Sequence, residues 1–208
     1  MKPFTRLEAG AVALPLANVD TDQLLPARFL KVPRSEGYAR LLLHDLRFEK
    51  DGSERPGFPL NTPEAHDAEI MVARKNFGGG SSREGAVYAL GDFGFRCVIA
   101  PSFGDIFSSN AANNGLLAAV VTEQEAEALI DAVERARRAT VDLEDCSIVA
   151  GDLRVKFDID PVRRMKLLKG WDDIDMTRSY AAEISEFIAR DAIARPWALP
   201  TRRGAGAS

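Results

Sequence analysis

The chain has 208 residues, a formal net charge of −4, 46% hydrophobic residues and 28% charged residues. Such values are typical of a globular protein of one domain that can bury a core without disulfides. Its lysines and arginines form no basic block, which argues against nucleic acid as the main partner. No apolar stretch approaches the ~18 residues that span a bilayer, and the first residues lack a signal-peptide pattern. We therefore expect no membrane partner.

Cysteine and histidine are scarce in this chain. The two cysteines, Cys97 and Cys146, lie far apart and form no CxxC pair, and the histidines are His44 and His66. Reduced, buried thiols in a cytoplasmic protein are the simplest interpretation. With so few ligands the chain by itself is expected to form no zinc site and to hold no iron–sulfur cluster.

The first sixty-odd residues are expected to be rich in loops, because short apolar runs such as 11–14 alternate with prolines. From Glu69 onward the sequence pattern predicts regular strands and helices. Residues 70–73 predict a short strand, residues 84 to about 90 the start of a helix, and residues 97–100 a second buried strand. A strand, a glycine-rich turn, a helix and a further strand make a βαβ-like unit.

The second half is predicted to continue with helices and strands. A short helix is expected at 102–114, a strand at 116–121, and then a helix opened by a capping box between Thr122 and Glu125. That helix is expected to bury its apolar positions, Ala126, Leu129, Ile130, Val133 and Ala136. Strands at 147–149 and 153–159 and a last helix at 178–194 complete the prediction. The class is α/β, with one domain at 1–194 and a mobile C-terminal tail at 195–208.

The loop 78–84 has the composition of an anion site. Its three consecutive glycines allow backbone N–H groups to approach a ligand, and a helix beginning at Ser82 or Arg83 would direct its positive end there. The planar guanidinium of Arg83 suits a carboxylate. The loop matches neither the GxxxxGK[ST] phosphate motif nor the GxGxxG dinucleotide motif. From the residues alone, a tight strand-to-helix turn with an exposed arginine remains the alternative.

A second group of polar residues lies at 18–22, where Asp20 and Asp22 could be metal ligands, partners of an arginine, or turn formers, with turn chemistry favoured. The tripeptide Asp92-Phe93-Gly94 matches the magnesium motif of kinases, but no other kinase element accompanies it. We expect no kinase chemistry from it.

Several motifs together resemble one known family, in order from about Leu14 to Thr177. They are the runs 18–22 with 24–26, 76–84, 98–107 and 113–117. The chain is similar to the small subunits of bacterial 3-isopropylmalate dehydratase, which are equivalent to the swivelling domain of aconitase. This resemblance implies a mixed β-sheet or barrel with flanking helices.

The resemblance also implies a hydro-lyase of leucine biosynthesis that is active only with a large subunit carrying a [4Fe–4S] cluster, with no cofactor in this chain. Its substrate would be a small hydroxy-diacid, isomerised between 2- and 3-isopropylmalate. The family's roles carry over to named positions. Ser81 matches the catalytic base and Asp22 an active-site aspartate, while the implied substrate ligands are Ser82, Arg83, Arg34 and the backbone of Gly79 and Gly80.

The implied mechanism begins when a Ser81 alkoxide removes a proton alpha to a carboxylate. When bound in the large subunit, the cluster would supply Lewis-acid chemistry for the departure of hydroxide, before water adds at the neighbouring carbon. Lowering the serine pKa from ~15.7 to roughly 9 requires about 9 kcal/mol. Since one well-aimed donor contributes about 3 kcal/mol, three donors are needed, and Arg83 with two backbone N–H groups would supply them.

Two positions depart from the family pattern Gly-Cys-Gly-Ser-Ser-Arg-Glu-His. Gly79 replaces the cysteine and Gly85 replaces the histidine. The second change removes a side chain close to the loop and leaves the choice of diacid open. A paralogue acting on citramalate or a methyl-substituted malate, or a non-catalytic carboxylate-binding module, is the alternative reading.

Overall fold

Strand β1 (Arg6–Leu14) lies at the centre of the sheet, where its buried residues face the core on both sides. The computed structural model describes residues 1–198. Residues 15–60 contain only short helices and 3-10 turns between loops, as predicted. The prediction missed β1, because alanine and glycine, which fill much of that strand, have low intrinsic strand preference. Burial on both faces overrides that preference.

The described sheet has seven strands in the order β4-β3-β2-β1-β5-β6-β7. The strands after β1 are β2 (Ala68–Ala73), β3 (Cys97–Ala100), β4 (Leu117–Val120), β5 (Arg138–Asp142), β6 (Ser147–Ala150) and β7 (Leu153–Lys156). Strands β1 to β4 are parallel neighbours, whereas β5, β6 and β7 form an antiparallel meander on the other side of β1. The predicted βαβ unit is confirmed.

The two ends of the sheet curl toward each other. Val120 of β4 and Asp158, just beyond β7, exchange backbone hydrogen bonds of 3.0 and 2.7 Å. The result is a half-barrel, and the expectation of a mixed sheet or barrel with flanking helices is confirmed.

Helices cover both faces of the sheet. In the first compact unit, Met1–Asp172, they are α1 (Thr21–Leu24), α2 (His44–Arg47), α3 (Pro63–His66), α4 (Glu84–Phe93), α5 (Asp105–Asn113), α6 (Glu123–Ala136) and α7 (Pro161–Lys169). Short 3-10 turns lie at Ala27–Lys31, Arg34–Glu36, Ala39–Leu41 and Pro59–Asn61. None of the helices in residues 1–198 is long and apolar enough to cross a membrane.

Helix α6 packs on one face of the sheet, and helices α4 and α5 pack on the other. The predicted capping box is present, with the Thr122 side chain accepting from the Glu125 N–H group at 3.2 Å. The predicted burial of Ala136 was wrong, since the helix turns its last residues to solvent and buries Ala132 instead.

The second unit begins at Asp173 and contains α8 (Asp173–Ser179), α9 (Ala181–Ala194) and a 3-10 turn at Pro196–Ala198. The helix predicted at 178–194 corresponds to α9, which begins three residues later, after Tyr180, and α8 was not predicted. The boundary at residue 194 stays a prediction. Most of the predicted tail, residues 199–208, lies outside the described residues.

Candidate active site

The loop 78–84 lies at the carboxyl edge of the parallel strands, where β2 and β3 end side by side. The Phe77 N–H group donates to the Ser102 carbonyl at 3.0 Å, and the Gly104 N–H group donates to the Phe77 carbonyl at 2.9 Å. These bonds join the loop after β2 to the loop after β3. Ligands of open parallel sheets bind at this edge, so the fold brings the predicted loop to the expected place.

The backbone of the loop requires glycine at two positions. Gly78 and Gly80 have φ values of 70° and 95°, which side chains rarely adopt. A Cβ atom at Gly78 would also overlap the ring of Phe107. The loop therefore turns sharply enough to present Ser81 and Ser82, both exposed, before α4 begins at Glu84 with Arg83 as its N-cap.

The segment 18–22 lies against this loop, although about sixty residues separate them in the chain. Gly78 N–H donates to the Val19 carbonyl at 2.6 Å, and Thr21 N–H donates to the Gly79 carbonyl at 2.9 Å. Asp20 is the N-cap of α1 and accepts from the Gln23 N–H group at 2.7 Å. The prediction of turn chemistry thus holds for Asp20.

Ser81 contacts the hydroxyl group of Thr21. The Ser81 N–H group donates to Thr21 Oγ1 at 3.1 Å, and the two side-chain hydroxyl oxygens are 3.2 Å apart. Thr21 is only 1% exposed, while Ser81 is open to solvent. A buried hydroxyl therefore fixes the position of an accessible one.

Asp22 forms an ion pair with Arg83 beside Ser81. The Arg83 side chain is 19% exposed and that of Asp22 is 56% exposed, so the pair opens to solvent on the aspartate side. The Nη1 atom of Arg83 makes this contact and a second one to the Leu25 carbonyl at 3.4 Å. In the described part of the chain Nε and Nη2 have no acceptor, and they are available to a ligand carboxylate.

Backbone donors complete the site. Within residues 1–198, the N–H groups of Gly80 and Ser82 donate to no protein acceptor. The first turn of α4, which has no side-chain cap, adds the positive end of its dipole. A hydroxyl, a guanidinium and free N–H groups lie in the same short loop, which is a donor set suited to a carboxylate next to a reacting proton.

Comparison with known proteins identifies the family of this chain. The Aconitase C-terminal domain family matches residues 1–125. The 3-isopropylmalate dehydratase small subunit of Caulobacter vibrioides is 46% identical over 95% of this chain and 98% of its own length. That of Afipia carboxidovorans is also 46% identical, over 95% of this chain and all of its own.

The chain belongs to this family of small subunits. The crystal structure of a 3-isopropylmalate dehydratase from Methanocaldococcus jannaschii has the same fold, with a TM-score of 0.63 and 24% identity, covering 87% of this chain and 98% of that one. The predicted fold and family are confirmed.

Arg34, which the family resemblance places among the substrate ligands, is not with the loop here. Its guanidinium is paired with Asp92 and lies 4.5 Å from the ring centre of Tyr88 and 5.4 Å from that of Tyr38. Asp92 belongs to the tripeptide that resembled a kinase motif, and its carboxylate also accepts from the Tyr38 N–H group at 2.7 Å. Its role in this structure is to tie the segment around Arg34 to α4.

Gly85, where the family pattern has histidine, lies beneath the segment that follows α1. A Cβ atom there would be 2.6 Å from Leu25 Cδ2 and 3.7 Å from the ring of Tyr38. Glycine thus lets Leu25, which is fully buried, pack directly on the first turn of α4. The missing side chain is replaced by this apolar contact.

Gly79 is the other departure from the family pattern. Its Cβ position would be 3.1 Å from Asn76 Oδ1, so a side chain there would crowd Asn76 slightly. The Gly79 carbonyl, not a side chain, makes the contact to Thr21. In this structure the contact at this position is made by the backbone.

The sequence predicted no role in this region for two residues, Thr21 and Asp92. Thr21 stands between two aspartates that the sequence did single out, and its hydroxyl was the available signal. No local signal could pair Asp92 with Arg34, because 58 positions separate them.

The described residues contain no group of three or more histidine, cysteine or acidic side chains placed to hold a metal ion. Cys97 is buried in the core, and burial raises the pKa of its thiol. The residues present here do not fit an iron–sulfur cluster.

Proposed function

We propose that this chain and a large subunit together form 3-isopropylmalate dehydratase, a hydro-lyase that interconverts 2- and 3-isopropylmalate by dehydration and rehydration. The observation that carries the proposal is the placement of an exposed Ser81 hydroxyl beside the Asp22–Arg83 pair and the free N–H groups of the glycine loop. The name shared by relatives that are 43–46% identical over 95% of the chain supports the substrate.

In this proposal Ser81 is the base that removes the proton alpha to a substrate carboxylate. Arg83 binds that carboxylate through its unused Nε and Nη2 atoms, and Asp22 holds the guanidinium in place. Ser82 and the N–H groups of Gly79 and Gly80 would supply further hydrogen bonds to the oxygens on which charge develops. Arg34 would join them only after leaving Asp92.

The partner follows from the relatives, which are named small subunits. We assign the [4Fe–4S] cluster to the large subunit, because the described residues of this chain offer it no ligand set. The departure of hydroxide is left to groups that the large subunit contributes. The predicted cytoplasmic location remains a prediction.

The test is reconstitution with the cognate large subunit, followed by the absorbance of the unsaturated intermediate formed from 3-isopropylmalate. Ser81→Ala should abolish turnover while both subunits still associate. Ser109→Ala, which changes an exposed serine of α5, is the matched control and should be fully active. Full activity of Ser81→Ala would exclude the proposed base.

A related diacid is a second candidate substrate, because Gly85 lets Leu25 pack where the family has a histidine. A screen of the reconstituted complex with isopropylmalate, citramalate and methyl-substituted malate separates the two possibilities. Higher kcat/KM for isopropylmalate supports the first proposal. Preference for citramalate or methyl-substituted malate supports a paralogous dehydratase.

A further inference from the structure

The residue directly beneath the Ser81 side chain is Thr21, the first residue of α1. Its side chain is buried, with 1% of the residue exposed. Its backbone is fixed by the hydrogen bond from its N–H group to the Gly79 carbonyl, 2.9 Å long. The Thr21 hydroxyl is therefore held at a defined place under the loop.

The Thr21 hydroxyl contacts Ser81 in three ways. It accepts from the Ser81 N–H group at 3.1 Å, and it lies 3.2 Å from both the Ser81 carbonyl oxygen and Ser81 Oγ. A hydroxyl has one proton to donate and two lone pairs to accept with. The N–H group uses one lone pair, so the single proton has two acceptors at equal distance.

Rotation about the Cβ–Oγ1 bond of Thr21 decides which acceptor receives the proton. While Ser81 carries its own proton, Thr21 can donate to the Ser81 carbonyl and accept from the Ser81 hydroxyl. When Ser81 Oγ is ionised, it is the stronger acceptor, because hydrogen bonds to charged oxygens are about twice as strong as neutral ones. The same hydroxyl can therefore serve both states without moving its oxygen.

We propose that Thr21 is a positioning residue that donates its hydroxyl hydrogen bond to Ser81 Oγ when that oxygen is the alkoxide, and so supplies one of the donors that stabilise the base. The inference rests on the proposed role of Ser81. No proton leaves Thr21. When Ser81 removes the substrate's alpha proton, the new O–H bond forms on Ser81 Oγ and the Thr21 hydrogen bond returns to the carbonyl.

The sequence-based account required three donors, of which Arg83 was one. Arg83 is already engaged with Asp22, and its remaining atoms suit a substrate carboxylate. Thr21 can supply a donor instead, since its hydroxyl oxygen already lies 3.2 Å from Ser81 Oγ. It also comes from α1, a different element than the glycine loop, to which its N–H group is bound through the Gly79 carbonyl.

The test compares Thr21→Val and Thr21→Ser in the reconstituted complex of both subunits, with 3-isopropylmalate as the substrate. Valine keeps the shape of threonine and removes the hydroxyl, whereas serine keeps the hydroxyl. Loss of one such donor lowers kcat by about 100-fold, and we expect KM to be unchanged. The acidic limb of the pH profile of kcat should also move to higher pH in Thr21→Val, because the alkoxide is then harder to form.

Thr21→Ser should recover most of kcat and the original pH profile. Thr62→Val is the matched control, because the Thr62 hydroxyl donates to the Pro59 carbonyl and lies outside the site. Where Thr21→Val fails to fold or to bind the large subunit, Thr21→Cys replaces it, since a thiol is a weak donor of nearly the same size.

Two outcomes overturn the inference. In the first, Thr21→Val retains kcat within a few-fold of the wild type. In the second, the Thr21 variants all lose activity without a change in the pH profile, which would mean that Thr21 only packs beneath the loop. Either result leaves the test of Ser81→Ala unaffected, so the failure of this inference is distinguishable from the failure of the proposed function.

Discussion

The Arg34 guanidinium is bound to the carboxylate of Asp92, in the last turn of α4, and its plane lies near the rings of Tyr88 and Tyr38. Asp92 thereby holds two groups of the preceding segment, since it also accepts from the Tyr38 N–H group at 2.7 Å. The Asp92 side chain is 21% exposed, and Tyr38 is buried. Asp92 therefore fixes the segment that covers Gly85.

Removing that carboxylate should loosen the segment. Asp92→Ala leaves the part-buried N–H group of Tyr38 without its acceptor, which costs up to about 1–3 kcal/mol of the free energy of unfolding. We expect a lower urea midpoint and faster tryptic cleavage after Lys31 and Arg34. Asp131→Ala, on the exposed face of α6, is the control. Equal midpoints for the two variants would show that Asp92 does not hold the segment.

The pairing of Arg34 with Asp92 is also an example of a contact that the sequence alone does not predict. Ser81, Arg83 and Asp22 were identified through motifs, and the structure brings Asp22 to Arg83 across 61 positions. The partner of Arg34 could not be predicted, because no local pattern records which of many carboxylates a long side chain will reach. At Gly85 the sequence showed only the loss of a side chain close to the loop, and it could not show that Leu25 fills the space.

Some elements of the fold could be predicted from the sequence and others could not. Strands β2 and β3 and helix α6 were predictable, since their apolar residues follow the period of a strand or a helix. Strand β1 was not, because its runs of alanine and glycine become a strand only when neighbours on both sides bury them. Asp158 pairs with Val120 only after the sheet has curled, so closure of the half-barrel has no local signal.

The ion pair between Asp22 and Arg83 should matter for catalysis and little for stability. Arg83→Lys removes the planar fork, and the loss of about 1.5–3 kcal/mol from a charged hydrogen bond corresponds to roughly a 10- to 150-fold higher KM. Asp22→Asn should lower kcat/KM less, because Arg83 stays charged. Both variants should unfold within about 1 kcal/mol of the wild type, since the pair is open to solvent at Asp22.

The control for these variants is Arg74→Lys. Arg74 binds Glu127 through Nε and Nη2, at 2.7 and 3.0 Å, on an exposed surface of α6. Steady-state kinetics of the reconstituted complex should show no change for Arg74→Lys. A KM for Arg83→Lys equal to that of this control would argue against substrate binding by Arg83.

Asp45 gives the structure a measurable response to acid. Its hydrogen bond to Arg28 lowers the pKa of the carboxyl to about 2. Since the folded pKa lies below the usual value near 3.9, the stabilisation is complete above about pH 4 and is lost as the pH falls toward 2. The effect is small, because the Asp45 side chain is 57% exposed.

Titration of the Asp45 side-chain carbon by NMR checks this directly. Wild-type protein should titrate near pH 2, and Arg28→Gln should move the midpoint toward the ordinary value. An unchanged midpoint in Arg28→Gln would mean that Arg28 does not set the pKa of Asp45.

Two glycines of α4 offer a matched test of the packing over Gly85. Replacing glycine by alanine within a helix gains roughly 0.5–1 kcal/mol from propensity. At Gly91 a Cβ atom meets nothing within 4 Å, so Gly91→Ala should show this gain as a higher urea midpoint. At Gly85 the same atom would press on Leu25 at 2.6 Å, and overpacking of this kind costs typically about 1–3 kcal/mol.

Gly85→Ala should therefore unfold at a lower urea concentration than Gly91→Ala, although both changes add the same methyl group to the same helix. A smaller residue at position 25 tests whether this overlap destabilises the variant. Leu25→Val should reduce the loss in free energy of unfolding caused by Gly85→Ala, because it removes the atom that the new methyl group would contact. Additive effects in the double variant, measured as free energies of unfolding, would show that the two residues do not interact. A favourable coupling would identify Leu25 as the residue that makes glycine necessary at position 85.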